Sequence, residues 1–320
     1  MARKPRIHFP GALYHVIIRG NARQDIFFDD ADRYRFYLLM QEGTERYGHR
    51  ILAFCLMTNH IHLAIQVGDA PLSRIMQNLS FRYTLWINRK LNRTGHLFQG
   101  RYKAVLVDAD SYLLELIAYI HLNPVRAGMV IDSEMYPWSS HKAYLCMEVI
   151  TWLNTEYVLN MYSTLVSDAR RQFSQFVTDR INDGHRDDFH GKGNIDSRIM
   201  GEEHFAESVH VKHEPDMLRK PTLDDIVTAV LKIYTMQENE LAASGRKRLN
   251  SEARGMVAWA VLELSDATLT ELSRRLNRDV STLSIASRRF ELNRQNDPIC
   301  KERFALLKGN LELKARMVSL

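Results

Sequence analysis

The densest chemistry in the chain lies in Met57-Thr58-Asn59-His60-Ile61-His62-Leu63-Ala64-Ile65. Side chains two apart on a strand leave the same face, so His60 and His62 project together while Ile61 turns into the other layer. Two neutral imidazoles so placed can hold one divalent metal, and the same pair also suits a sheet surface that binds nothing. The second segment is Glu115-Leu116-Ile117-Ala118-Tyr119-Ile120-His121-Leu122-Asn123-Pro124-Val125. Tyr119 and Asn123 are four apart and share one helix face, where a phenol over an amide oxygen could present a nucleophile and a metal ligand together. A tyrosine at that spacing also packs readily into a core, and an asparagine before proline also ends a helix. Tyr102 and Tyr112 are rival nucleophiles, but neither has an asparagine four residues on. A phenol is almost wholly protonated at neutral pH, so it needs help to ionise, and His15 and His121 are conceivable helpers.

A third group is looser. Arg74, Arg82, Arg89, Lys90, Arg93, Arg101 and Lys103 are interleaved with Tyr83, Trp86 and Tyr102. Cations that pair with phosphates and rings that stack on bases suit a single strand or hairpin of nucleic acid. The plainer reading, a solvated helix face with half-buried aromatics, fits most of these residues.

The elements that must position these groups can be read from periodicity. Tyr14 to Arg19 alternates as a first strand, and Phe28-Asp29-Asp30 caps a helix over Ala31 to Tyr47 that Gly48-His49 closes. Arg50 to Met57 and His60 to Val67 form two strands around a turn at Thr58-Asn59. A second helix runs from about Pro71 to Leu91, Leu97 to Val107 is a fourth strand, and Asp110-Ser111 caps a helix through Leu122 that Pro124 stops. Strand, helix, strand, strand, helix, strand, helix predicts an α+β fold: a ferredoxin-like antiparallel sheet with helices on one face.

The 320 residues suffice for two domains, and their 45% hydrophobic and 25% charged content is ordinary for a globular protein. No stretch is apolar enough for a membrane span or a secretory signal. Cys55, Cys146 and Cys300 make neither a disulfide framework nor a cysteine zinc site, so the chain is expected to be cytoplasmic, with no membrane partner. Lys and Arg outnumber Asp and Glu by 18 to 13 in residues 1–150 and by 16 to 13 in 221–320, while residues 151–220 are acidic, 9 against 12. Two basic blocks around an acidic one suit two nucleic-acid-binding units on either side of a connector with short helices. Asn182 to Asp188 and Gly191 to Asn194 read as loop. Within 221–320, an apolar helix from Met256 to Leu264 is followed by a short helix from Leu269 to Leu276. Asn277-Arg278-Asp279 makes a turn, and Val280 opens a helix ending near Phe290. This is the helix-turn-helix layout of an all-α domain.

Taken together, the first 150 residues resemble the single-tyrosine HUH transposases, and among them the REP-associated tyrosine transposases. The likeness rests on Tyr14-His15-Val16 with Arg19-Gly20-Asn21, Met57 to Leu63, Gly100-Arg101-Tyr102-Lys103, Tyr119-Ile120-x-x-Asn123-Pro124-Val125 and Pro137-Trp138-Ser139-Ser140, in family order across residues 8–145. The resemblance implies that His60, His62 and Asn123 hold Mg2+ or Mn2+ and that Tyr119 attacks DNA to form a 5′-phosphotyrosine link. Arg19, Arg82, Arg101 and Lys103 are the residues expected to contact single-stranded or hairpin DNA. The C-terminal stretch resembles the DNA-binding domain of the initiator DnaA. The matching residues are the Arg246-Lys247-Arg248 run, Ala253-Arg254, Glu263-Leu264, Leu269 with Glu271-Leu272, and Arg278-Asp279-x-Ser281-Thr282-Leu283. That likeness implies that Ser281, Thr282 and Arg288 face the major groove of duplex DNA and that Arg246, Arg248 and Arg254 reach phosphates. Val280 stands where the DnaA signature has histidine, which argues against recognition of the initiator's own site. The expected protein is a strand transferase, monomeric or homodimeric. The alternatives are a DNA-binding regulator without catalysis and a metal-dependent nuclease in which Tyr119 is a spectator.

Overall fold

β1 (Leu13–Arg19) runs through the middle of a five-stranded sheet ordered β2-β3-β1-β4-β5. β2 (Arg50–Leu56), β3 (His60–Gln66) and β4 (Lys103–Val107) are antiparallel to their neighbours, whereas the two-residue β5 (Ile199–Met200) adds to β4 in parallel. The computed structural model describes residues 7–192, 196–212, 221–243, 247–265 and 267–317. The chain divides into two compact units, Met1–His213 and Glu214–Leu320.

In the first unit, α1 (Asp30–Tyr47) starts at a capping box. Asp29 accepts from the Asp32 amide, and the Asp32 side chain accepts from the Asp29 amide in return. Gly48 closes the helix with a left-handed φ of 65°, a conformation that suits glycine. α2 (Leu72–Lys90) packs beside α1, and Lys90 donates to Asp29 at 2.6 Å and to the buried Asp32 at 2.7 Å. Register sorts the two sheet faces. Val16, Ile18, Ile61, Leu63 and Phe54 meet α1 and α2, as the 5.1 Å ring contact between Tyr37 and Phe54 illustrates. His15, Ile17, His60, His62 and Cys55 lie on the opposite face. α3 (Ala109–His121) covers that second face, where the Tyr119 ring sits 6.1 Å from that of His62. The α+β class holds, with helices on both faces rather than on one alone. α3 is apolar on nearly every side, with Leu113, Leu116, Ile117 and Ile120 all buried, as a helix between a sheet and an outer layer must be.

Two further differences bear on the site. The fourth strand begins at Lys103 and not at Leu97. Gly100 takes a left-handed φ of 66°, and Phe98 makes only an isolated bridge to Gly20. The outer edge of β2 is covered by residues 136–144: Leu56 N donates to Trp138 O at 2.8 Å, and the Tyr136 and Tyr144 hydroxyls donate to Leu56 O and Leu52 O at 2.7 Å. The Pro137-Trp138-Ser139-Ser140 motif thus closes an exposed sheet edge. Residues 151–212 belong to the first unit, and α4 (Val166–Thr178) lays Phe173 against His121 and Tyr144.

The regular elements of the second unit are all helices among its described residues. α6 (Leu223–Tyr234), α7 (Arg248–Leu264), α8 (Leu269–Leu276), α9 (Val280–Asn296) and α10 (Pro298–Met317) follow α5 (Glu203–Lys212) of the first unit. α7 is the buried centre, with Met256, Val257, Ala258, Ala260 and Val261 fully enclosed. α9 approaches it at Gly255, where an added Cβ would lie 2.8 Å from Ala286 O and 2.9 Å from Phe290 Cβ. Thr268 and Glu271 form a capping box at the start of α8, and Asn277 ends it in the left-handed region. α9 then runs past Phe290 to Asn296, six residues beyond the sequence expectation. Among the described residues no helix is long and apolar enough to cross a membrane.

Candidate active site

β1 and β3 pair so that Arg19 lies opposite His60 and Ile17 opposite His62, which brings one cation to the mouth of the histidine pair. A cavity of about 440 Å³ opens there, lined by Arg19, Met57, His60, His62, Tyr119, Asn123, Arg126, Ala127, Asp183, Gly184, His185 and His190. The four residues singled out by sequence, His60, His62, Tyr119 and Asn123, come together on its wall.

The hydrogen bonds fix which nitrogen of each imidazole can act. His15 Nδ1 lies 2.9 Å from the carbonyl of Phe189, which can only accept, so His15 carries its proton on Nδ1. Burial pushes the His15 pKa down to about 3, against a smaller upward pull from that carbonyl, so the ring is neutral and its Nε2 is an acceptor. His62 Nδ1, 2.9 Å away, must then donate to it. His62 is held well below the usual histidine range by burial first, then by its neighbours His15, His60, His190 and Arg126. Its remaining Nε2 is therefore a lone pair. His60 arrives at the same state by a shorter route. Its Nδ1 donates to Asn59 Oδ1 at 2.7 Å, and Asn59 Nδ2 is turned to Arg23 O at 3.2 Å. Burial and the charge of Arg19 lower His60 to about 4. Both rings of the pair, 5.0 Å apart, thus keep an unprotonated Nε2 at neutral pH.

Asn123 donates from Nδ2 to Tyr119 O at 2.9 Å and to Ile120 O at 3.3 Å, which leaves the amide oxygen as the atom that can meet a ligand. Two imidazole nitrogens and one amide oxygen are a donor set that a hard or borderline divalent cation accepts, with room for water or phosphate oxygen. Among the described residues no three His, Cys, Asp or Glu side chains converge on a metal-sized site.

Tyr119 is 4% exposed and borders the cavity. Burial is the largest influence on its phenol and pushes it up to about 12, with Arg126 acting in the opposite direction. Arg126 stacks its guanidinium 4.2 Å from the Tyr119 ring centroid and donates to Tyr119 O. The phenol oxygen lies 2.7 Å from His190 Nε2. The helpers suggested by sequence are engaged with other groups: the His15 ring is 5.9 Å from that of Tyr119 but its nitrogens bond Phe189 O and His62 Nδ1, and the fully buried His121 bonds Ser140 Oγ at 2.7 Å. His190 and Arg126 were missed because neither stands in a spacing that marks chemistry. The available signal was the density of His185, Asp187, Asp188 and His190 in and beside the loop at Asn182 to Asp188.

The remaining predicted residues scatter. Lys103 is exposed on the cavity face, opposite Ile17, and Arg101 is exposed in the loop before it. Arg82 pairs with Glu42 of α1, on the sheet's other side, and Tyr83 is fully buried with its hydroxyl donating to Ile26 O at 2.6 Å. Neither joins the cavity. In the second unit Ser281, Thr282 and Arg288 are exposed on α9. Arg248 is exposed and 3.4 Å from Asp297, while Arg254 donates to the carbonyls of Leu241 and Ala243, a structural engagement. Arg246 lies outside the described residues.

Residues 9–123 match the family model described as "Transposase IS200 like". A protein of Haemophilus influenzae named as a REP-associated tyrosine transposase is 26% identical over 141 residues, 41% of this chain and 80% of that protein. The chromosomal replication initiator protein DnaA of a Caulobacter species is 29% identical over 140 residues, 42% of this chain, which spans 28% of that protein's length. A solved REP-associated tyrosine transposase bound to a REP hairpin is similar over 48% of this chain and 98% of its own, at 14% identity and a TM-score of 0.40. An N-terminal transposase domain of the HUH kind and a weakly DnaA-like C-terminal segment are both indicated.

Proposed function

We propose that this chain, whose residues 9–123 carry an IS200-like transposase domain, cleaves and rejoins single-stranded DNA through a covalent link to Tyr119. The general class, an enzyme of strand transfer or strand cleavage, follows from the family match. The finer reading is supported above all by the meeting of His60, His62, Tyr119 and Asn123 on one cavity.

His60 and His62, presenting Nε2 lone pairs, and Asn123, presenting its amide oxygen, would hold Mg2+ or Mn2+. Such an ion supplies Lewis-acid neutralisation of the charge that builds on a phosphodiester under attack. The chain's own groups do the rest. Arg19 and Lys103 bring positive charge to the cavity and draw a phosphate in. Arg126 fixes the Tyr119 ring by its stacked guanidinium and favours the ionised phenol. The Tyr119 oxygen attacks phosphorus, the 3′ oxygen leaves, and the strand is held as a 5′-phosphotyrosine. The bond energy is retained, so a DNA 3′-hydroxyl can reverse the step. The substrate class we infer is single-stranded or hairpin DNA. The second unit adds affinity for duplex DNA through the exposed face of α9 that carries Ser281, Thr282 and Arg288, with Arg248 on a phosphate.

The test is incubation of the full chain with Mn2+ and single-stranded hairpin oligonucleotides from repeats of its source genome, followed by a denaturing gel. A slow-migrating protein–DNA adduct that vanishes on chelation supports strand transfer. Cleavage without an adduct assigns hydrolysis instead, and binding with neither assigns a regulator.

A further inference from the structure

If Tyr119 is the nucleophile, its proton must go somewhere, and burial makes the phenol a weaker acid than usual, at about 12. The hydrogen bond of its hydroxyl runs to His190 Nε2 at 2.7 Å. His190 stands in a single helical turn, Asp188–His190, far along the chain from the transposase motifs. That turn is firmly seated. Phe189 is fully buried, its ring 5.0 Å from that of Tyr119, and its carbonyl takes the Nδ1 proton of His15. Gly191 closes the turn with φ +65°, packed against Ser197 O so closely that a side chain there would collide.

We propose that His190 is a catalytic residue that accepts the phenolic proton from Tyr119 during attack and returns it in the reverse reaction. This rests on the reading of Tyr119 as nucleophile. As the Tyr119 O–P bond forms, the bond from phosphorus to the 3′ oxygen breaks. The phenolic proton passes to His190 Nε2, and the departing 3′ oxygen takes a proton from water. Rejoining runs the same bonds backwards and restores the neutral imidazole. His190 Nε2 is the group placed to take the proton, since the Tyr119 hydroxyl is 2.7 Å from it and His190 also borders the cavity.

The experiment measures single-turnover adduct formation by the full chain with Mn2+ and a hairpin oligonucleotide, alongside hairpin affinity. His190→Gln keeps a hydrogen-bonding group but cannot take the proton, and His190→Ala removes both functions. Both variants are expected to slow adduct formation about a hundredfold with affinity unchanged. Replacing Tyr119 by a ring-difluorinated tyrosine, a more acidic phenol that needs less help to lose its proton, is expected to shrink the His190→Ala penalty to a few-fold. A His190→Gln rate near wild type would overturn the proposal, as would a penalty that the fluorinated phenol leaves intact. If the wild-type adduct maps to Tyr119 and only these results fail, His190 falls and the nucleophile stands. If the wild type forms no adduct through Tyr119, both fall.

Discussion

Replacing His15 tests the chain of protons beneath the histidine pair. His15 accepts from His62 Nδ1 and donates to Phe189 O, both at 2.9 Å, and is wholly buried. In His15→Leu both partners lose their hydrogen bond in a water-free place. Each orphaned group costs about 1–3 kcal/mol, so the loss of stability is roughly 2–6 kcal/mol before packing gains are counted. The functional consequence is separate. Without an acceptor at Nδ1, His62 no longer gains by keeping its proton there, and the tautomer with Nε2–H becomes competitive. That tautomer has no lone pair toward the cavity. Loss of such a supporting partner typically weakens metal binding about 10- to 100-fold, or about 1.4–2.8 kcal/mol. His15→Gln, which can offer an oxygen to His62, should lose far less. Mn2+ titration by calorimetry, with a thermal melt of the same samples, checks both effects. A folded His15→Leu protein that binds Mn2+ within about twofold of wild type would refute the tautomer argument.

Arg126→Ala removes the guanidinium stacked on Tyr119 and should slow adduct formation roughly tenfold, the worth of a partly desolvated cation–π contact, with Arg126→Lys intermediate. His49 is buried and lowered to about 4 from an unfolded value of 6.5, so its contribution is complete above about pH 6.5. As the pH falls toward 4 the unfolded chain takes up a proton that the folded one refuses, and roughly 3 kcal/mol is lost. Urea midpoints of the first unit should therefore drop over that window and drop less in His49→Gln; equal drops would exclude His49 as the cause. Gly255→Ala forces α7 from α9 and should cost about 1–3 kcal/mol, read as a lower melting temperature of the second unit, despite alanine's better helix propensity.

Most of the first unit was legible because its sheet has one helix-covered face on either side and short connections. Alternation marked the strands around His60 and His62, the Asp29 cap marked α1, and Gly48 and Pro124 marked helix ends. The His60, His62, Tyr119 and Asn123 set could be named because strand and helix periods decide which side chains share a face. That α3 lies across the sheet from α1 and α2 could not be read, since a helix as apolar as Leu113 to Ile120 does not say which face it covers. His190 was invisible for a different reason. It reaches Tyr119 from 71 residues away, through a turn seated by Phe189, and no local period reports a contact of that range. Arg82 and Tyr83 show what composition leaves open: it does not report that Arg82 pairs with Glu42 or that Tyr83 is buried, so that neither lines the cavity. The fourth strand's late start reflects Gly100, whose left-handed backbone interrupts an otherwise strand-like run.

The central claim is that Tyr119 becomes covalently joined to DNA, and peptide mapping of the trapped adduct tests it most directly. The full chain, Mn2+ and a labelled hairpin oligonucleotide would be reacted, digested with protease and nuclease, and analysed by mass spectrometry beside Tyr119→Phe. The account predicts a nucleotide mass on the peptide containing Tyr119 and none in the Tyr119→Phe protein, which should still bind the hairpin. A nucleotide on Tyr102 or Tyr112, or an adduct that survives Tyr119→Phe, would contradict it.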